Sequence, residues 1–326
     1  MKRTAGLHLR PASPVAPARA EDAYPAVIEV ALAIDVGGTK VAAAIVTADG
    51  NVLARAAAGT PEGDEGDEVT DQILALADEV RAGGQGRGTG ADHEVVVCGV
   101  GCGGPMSLGG EEVSPLNIGS MRGYPLRSRL ARATGVTTFV DNDAKALALG
   151  EGWCGAAAGC DNFVAMVVST GVGGGIVLDG RLLDGDGGNA GHIGHVIVVP
   201  DGRSCRCGAR GCLEAEASGT AIAAITGRPA AEADEEVIDR TAALVGRAVA
   251  SVANLLDLRL AVVAGSVALG FGDRFFSRAQ DEVDRLARLE FSVGTRIVAA
   301  GLGDLGPLVG AAAVGWRGLQ RLVPPR

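Results

Sequence analysis

Apolar residues fall into short runs separated by glycine turns, and these runs alternate with stretches of helical spacing. VIEVALAID ends at Asp35, VAAAIV begins at Val41, and NVLARAAA follows the Asp49–Gly50 turn. The spacing predicts three short antiparallel strands joined by glycine turns. Residues 67–81 have helical spacing with acids near the start, as a helix N-terminus favours. GGQGRGTGAD reads as a flexible loop, and EVVVCGVGCGGP as a buried strand running into a Gly-Pro turn. TTFVDNDAKALALGEGWCGAA reads as a strand and then a helix starting near Asp143. FVAMVVSTGVGGGIVLDGRLL reads as a strand, a glycine loop and a further strand pair. A long helix is expected over residues 234–256, then a strand, LAVVAGS, ending in a Gly-Ser turn. A helix, the strand TRIVAA and a last helix near residues 307–322 close the pattern.

The same order occurs twice: a β-hairpin with glycine in its turn, then alternating helices and strands. Two α/β lobes with a ligand cleft between them are therefore expected. The boundary is expected near residue 141, giving lobes over 29–141 and 142–306, with the final helix, 307–322, packing back on the first lobe. Residues 1–28 are rich in Pro, Ala and Arg and are expected to form a disordered tail.

Length agrees with two lobes, since 326 residues exceed one ordinary core. The residues are 47% hydrophobic but only 3% aromatic, so the core must be built from Ala, Val, Leu and Ile. No apolar run approaches the ~20 residues of a membrane span. The formal charge of −10 argues against nucleic acid as the main partner, although a small phosphorylated ligand needs only local donors. Seven cysteines without an apolar leader point to a reducing, cytoplasmic setting, with thiols or metal rather than disulfides.

DVGGTK, Asp35 to Lys40, lacks the P-loop spacing. Taken alone it is a hairpin turn. STGVGGG, Ser169 to Gly175, changes that reading, because again a strand ends in a small hydroxyl residue and several glycines. Glycines let backbone N–H groups approach an anion, and a hydroxyl adds a donor. Two such loops, one per lobe, could grip one polyphosphate. A third strand end, VVAGSVALG, carries nothing bulky that would block a base or ribose.

These segments resemble the sugar kinases of the ROK family, within the actin-like ATPase superfamily. DVGGTK matches the first phosphate motif, NDAKALALGE the catalytic segment, STGVGGG the second phosphate motif, GHIGH with CRCGARGCLE the family signature, and VVAGSV the adenosine motif. They stand in the family's order across roughly residues 30 to 320. The resemblance implies a two-lobed, ribonuclease-H-like actin fold with Mg-ATP and a hexose in the cleft. It implies nucleotide and Mg2+ contacts from Asp35, Gly37, Gly38, Thr39, Lys40, Thr170, Gly171, Gly265 and Ser266. Asp143 is then the base for the sugar's 6-OH, with Gly104, Asn117, Asn142, His192, His195 and Glu214 around the hexose. A plainer role is open at the helix start, where Asp141 or Asn142 would cap and Asp143 would support the dipole. Lys145 stands where the family commonly has Asn or another polar residue.

His195, Cys205, Cys207 and Cys212 make a Cys3His set. Such a set fills all four positions of a zinc ion and leaves none for water, which marks a structural site. His192 departs from the G-E-I-G-H of family glucokinases, since the stretch here is G-H-I-G-H, a form common among bacterial N-acetylmannosamine kinases. Glucose and N-acetylmannosamine both remain candidate substrates, and polyphosphate remains an alternative donor to ATP. The family is usually dimeric or tetrameric, so a homo-oligomer is expected, with neither nucleic acid nor membrane as partner. The alternative function is a sugar-responsive repressor of the same family. Such repressors carry an added helix-turn-helix domain of ~60 or more residues. Here a Pro/Ala-rich stretch precedes the first strand and Asp143 is retained, so the kinase is the expectation.

Overall fold

The structure is a computed structural model that describes residues 27–84 and 93–320. The tail expected over 1–28, but for its last two residues, lies outside the described residues. So does nearly all of the loop expected at GGQGRGTGAD.

Among the described residues, ten strands form two five-stranded mixed sheets. The first contains β1 (Ile28–Val36), β2 (Lys40–Thr47), β3 (Val52–Gly59), β4 (His93–Cys102) and β5 (Thr138–Asn142), in the order β3-β2-β1-β4-β5. The second contains β6 (Phe163–Val168), β7 (Val172–Leu178), β8 (Arg181–Leu182), β9 (Leu260–Ala264) and β10 (Arg296–Ala299), in the order β10-β9-β6-β7-β8. Each sheet opens with an antiparallel meander and adds two parallel strands on the other side of its first strand. The arrangement is thus used twice.

Period-2 alternation explains the first sheet. Val30, Leu32 and Ile34 of β1 pack with Val69, Ile73 and Leu76 of α1 (Gly66–Gly84) on one face. Each such side chain contributes about 1.5–3 kcal/mol when fully buried. On the other face Ala31, Ala33, Ala42 and Ala44 meet Leu308, Ala311 and Ala312 of α8 (Gly306–Gly318). Small residues on both sides let helix and sheet approach closely, so little aromatic volume is needed. Besides β1, α8 also lies against β4 and α3 (Asp143–Cys154). The second sheet packs on α6 (Glu235–Leu256) and α7 (Ser266–Leu286), through residues such as Val245, Val249, Phe275 and Ala279.

Three helices have no counterpart in the sequence pattern: α2 (Leu126–Thr134), α4 (Leu213–Ala217) and α5 (Gly219–Thr226). In α2 only Leu126 and Leu130 are buried, too few to make an apolar stripe. α4 is five residues long and follows directly on the cysteine-rich loop.

Candidate functional site

Ligands of open α/β sheets bind beyond the carboxyl ends of the parallel strands. In the first sheet, register sets Asp35 beside Gly101, and Gly101 beside Asp141. Asp143 opens α3 immediately after β5. A Cβ on Gly101 would lie 3.9 Å from Asp35 Oδ1 and 3.7 Å from Asp143 Cα, so one glycine separates the two acids. Burial pushes the Asp35 carboxyl up to about 7; the charge of Asp143 adds to this and Lys40 opposes it. Asp143 is open to the cleft, yet crowding by protein desolvates it and raises its pKa. The Ala144 N–H, donated at 2.8 Å, and His192 pull it back. Two acids of raised pKa beside a single lysine form a site short of positive charge, which fits a divalent cation with its nucleotide.

The first glycine turn is held by its own backbone. The Gly37 N–H donates to the Lys40 carbonyl at 3.0 Å, and Thr60 Oγ1 donates to the Gly37 carbonyl at 2.7 Å. Position 38 must be glycine, because a Cβ there would stand 2.6 Å from Asn117 Cβ. Thr39 and Lys40 are exposed at the turn's rim.

The second lobe offers a matching rim. β6 and β9 run parallel with Val167 opposite Ala264. Just beyond, Ser169 Oγ and Ser266 Oγ stand 2.9 Å apart and share a hydrogen bond. Gly265 has φ +99°, and a Cβ there would collide with the Val168 backbone, so glycine is required. Ser266 begins α7, which has no side-chain cap and breaks at Gly272 (φ +63°); its first N–H groups favour negative charge. Thr170 is exposed, and Gly171 is so close to Glu214 that a Cβ would lie 2.9 Å from Glu214 Oε2.

Asn142 caps α3: its Oδ1 accepts the Ala144 N–H at 3.0 Å and the Lys145 N–H at 3.4 Å. That commits the oxygen and leaves Nδ2, which points to Gly104, where a Cβ would lie 3.4 Å away. Asn142 can therefore meet a ligand chiefly as a donor. His192 precedes a short 3-10 turn, Ile193–His195. Its pKa is lowered, first by desolvation and then by His195, against the pull of Asp143 and Glu214. These four residues therefore share one neighbourhood.

The cysteine loop stands beside this group. One ligand atom each from His195, Cys205, Cys207 and Cys212 lies within 4.8 Å of the others. Cys207 Sγ and Cys212 Sγ are 3.7 Å apart, and Cys205 Sγ and His195 Nδ1 are 3.6 Å apart. A tetrahedral zinc with ordinary bond lengths has S···S and S···N edges of about 3.8 and about 3.6 Å. The four donors therefore fit zinc with every position filled. Because Nδ1 faces the sulfurs, Nε2 of His195 is left for another partner.

The expected site residues thus fall into linked groups: Asp35 with Lys40 and Asp143; Gly38 with Asn117; Gly104 with Asn142; His192 with His195 and Glu214; Gly171 with Glu214; Gly265 and Ser266 with Ser169. The sequence reading did not single out Ser169 or Thr60 as site residues. Ser169 was legible as the hydroxyl opening STGVGGG, whereas Thr60 carries no local signal.

A model described as the ROK family matches residues 31–315. An N-acetylmannosamine kinase of Escherichia fergusonii is 36% identical over 256 residues, covering 74% of this chain and 84% of that one. Among solved structures, a ROK hexokinase from Thermus thermophilus is 30% identical with a TM-score of 0.77, covering 89% of this chain and 99% of that one. A ROK family glucokinase from Streptomyces griseus, solved with glucose and AMPPNP, is 29% identical with a TM-score of 0.75, covering 88% and 99%. The architecture is the two-lobed actin-like ATPase fold.

Proposed function

The chain belongs to the ROK family, and on that premise we propose that it is a sugar kinase that moves the terminal phosphoryl group of ATP to the 6-hydroxyl of a hexose. One observation carries this reading. The strand ends bearing Asp35 and Asp143 supply paired acids of raised pKa, and the second sheet supplies a hydroxyl and helix-start rim at Ser169 and Ser266. Phosphoryl transfer asks mainly for positioning, charge neutralisation and a base.

In this reading Asp143 accepts the 6-OH proton as the sugar oxygen forms its bond to the γ-phosphorus and the bond to ADP breaks. A pKa raised by desolvation makes the carboxylate a better base than an exposed one. Magnesium bound with ATP supplies neutralisation of the phosphate oxygens, and Asp35, through water, is the residue that would hold it. Gly37, Gly38, Thr39 and Lys40 on one side, and Thr170, Gly171, Gly265 and Ser266 on the other, flank the nucleotide. Asn142 Nδ2, Asn117, Gly104, His192, His195 Nε2 and the free Glu214 oxygen surround the hexose. Zinc on His195, Cys205, Cys207 and Cys212 is structural in this scheme and fixes the approach of Glu214.

N-acetylmannosamine is the leading substrate and glucose the second. The similarity to an N-acetylmannosamine kinase and the histidine at 192 support the first; the likeness to a glucokinase supports the second. A coupled assay of ADP release across glucose, N-acetylmannosamine, mannose, fructose and N-acetylglucosamine tests the reading, with polyphosphate as a second donor read by sugar phosphate formed. Turnover of none of these sugars with either donor rejects it.

A further inference from the structure

One buried ammonium group stands beside the site without belonging to it. Lys145 lies on α3 two residues after Asp143, and only 3% of its side chain is exposed. Its Nζ donates to Asp184 Oδ1 at 2.8 Å and to the Gly188 carbonyl at 3.0 Å, and lies 3.2 Å from Asp141 Oδ1. Three acceptors saturate the three N–H donors of an ammonium. Arg317 of α8 closes the ring: Nη2 donates to Asp184 Oδ2 at 2.8 Å and Nη1 lies 3.5 Å from Asp141 Oδ2. Two cations and two anions leave no net charge in the cluster.

The ring ties together parts that are distant in sequence. Asp141 lies near the end of β5 in the first sheet, and Asp184 follows β8 in the second. Between β8 and the Ile193–His195 turn the chain has no helix or strand. The contacts that hold it are the Ala190 N–H to the Asp184 carbonyl at 3.0 Å, the Arg317 bond to Asp184, the close approach of Gly191 to Gly174 and Gly175 of β7, and the two bonds from Lys145. His192 sits at the end of this segment.

We infer that Lys145 is a positioning residue that fixes segment 184–191, and through it His192, against the sugar side of Asp143. The inference rests on the sugar-kinase reading. An uncharged side chain at 145 would release the Gly188 carbonyl and leave Asp141 and Asp184 with Arg317 alone. Loss of a single buried partner leaves the other charges uncompensated, and the weakest-held element moves. That element is the segment without secondary structure, whereas the phosphate loops end strands of the sheets.

Lys145→Met and Asp184→Asn in the full chain test this by two readouts. The first is the KM for the hexose against the KM for ATP. The second is the His192 imidazole signal in 1H–13C spectra, assigned by its loss in His192→Gln. Expected are a hexose KM raised about tenfold or more in Lys145→Met, a smaller rise in Asp184→Asn, an ATP KM within twofold, and a displaced or broadened His192 signal in both. An unmoved His192 signal with an unchanged hexose KM overturns the inference, and so does a parallel rise of both KM values, the mark of general loosening. If Lys145→Met does not fold, the isosteric Asp184→Asn decides by the same criteria. If the unmutated chain phosphorylates no hexose, the kinase reading fails, and the His192 signal alone decides whether Lys145 positions the segment.

Discussion

Glu214 and Val172 are joined by a hydrogen bond: the Val172 N–H donates to Glu214 Oε2 at 3.0 Å. Glu214 stands two residues past Cys212, in the first turn of α4; Val172 opens β7 directly after the Ser169–Gly171 turn, so the expected glycine loop is only those three residues and Gly173–Gly175 lie in the strand. The acid proposed to face the sugar thus also holds the backbone at the start of β7, beside the proposed phosphate turn. Two residues on, Glu216 accepts the Arg203 N–H at 2.6 Å, and Arg240 of α6 donates to its backbone carbonyl at 2.8 Å. α4 is therefore anchored to the cysteine loop, to α6 and to the start of β7 together.

If zinc fills the Cys3His set, removing it is accordingly expected to disturb both substrates. Metal binding energy is folding energy for such a loop. Chelation, or Cys207→Ser, should lower the thermal midpoint and weaken hexose and nucleotide binding together, the hexose by about tenfold or more. Calorimetric titration and elemental analysis check this. Zinc-free protein with full activity and unchanged stability rejects the Cys3His assignment.

Asp143→Asn is expected to lower kcat by ~10²-fold or more, the ordinary size of general-base help, while the hexose Kd moves only a few-fold. The amide keeps the shape and the acceptor oxygen but cannot take the proton. Retention of more than about a tenth of kcat removes Asp143 from the role of base.

Local chemistry was legible in the sequence, and long-range pairing was not. The alternation of Val30, Leu32 and Ile34 with Ala31 and Ala33 marks β1 because period-2 burial is written in neighbouring residues. The candidate ligand set His195, Cys205, Cys207 and Cys212 lies within 18 residues, so spacing picks it out. By contrast, Ser169 meets Ser266 across 97 positions, and Lys145 meets Asp184 across 39. Such pairs follow from strand order and helix packing, which no short window contains. The cap at Asn142 was legible as one of two choices, and only the geometry shows that it uses up the side-chain oxygen.

Asp35 gives a pH signature in the protein free of Mg2+ and nucleotide. Its folded pKa of about 7 lies above the ordinary 3.8, so between those values the folded chain holds a proton that the unfolded chain has released. Stability from this group is full below the lower value and is lost as pH rises through the upper one. Asp35→Asn should therefore be more stable than the unmutated protein at pH 8, by on the order of 2–6 °C in Tm, with the difference vanishing near pH 4. Thermal scans across that range check it, and a difference that does not grow with pH refutes it.

His192→Glu should shift preference toward glucose. The lowered pKa of His192 keeps its imidazole neutral near pH 7, able to donate through one nitrogen and accept through the other. An acetamido group at C2 presents bulk and a carbonyl acceptor that an imidazole N–H can meet, whereas the 2-OH of glucose is a small donor that a carboxylate accepts better. The neighbourhood already holds Asp143 and Glu214, so a third acid there would be raised in pKa by its neighbours and would act more fully as an acceptor as the pH rises. Losing or gaining one matched hydroxyl acceptor is worth about 1 to 3 kcal/mol, or ~10- to 100-fold in kcat/KM. The ratio of kcat/KM for glucose to that for N-acetylmannosamine should therefore rise by that order in His192→Glu, more at pH 8.5 than at pH 6.5. If the unmutated enzyme already prefers glucose a hundredfold, the histidine is a tolerated replacement in a glucose site and its role in selecting the sugar is refuted.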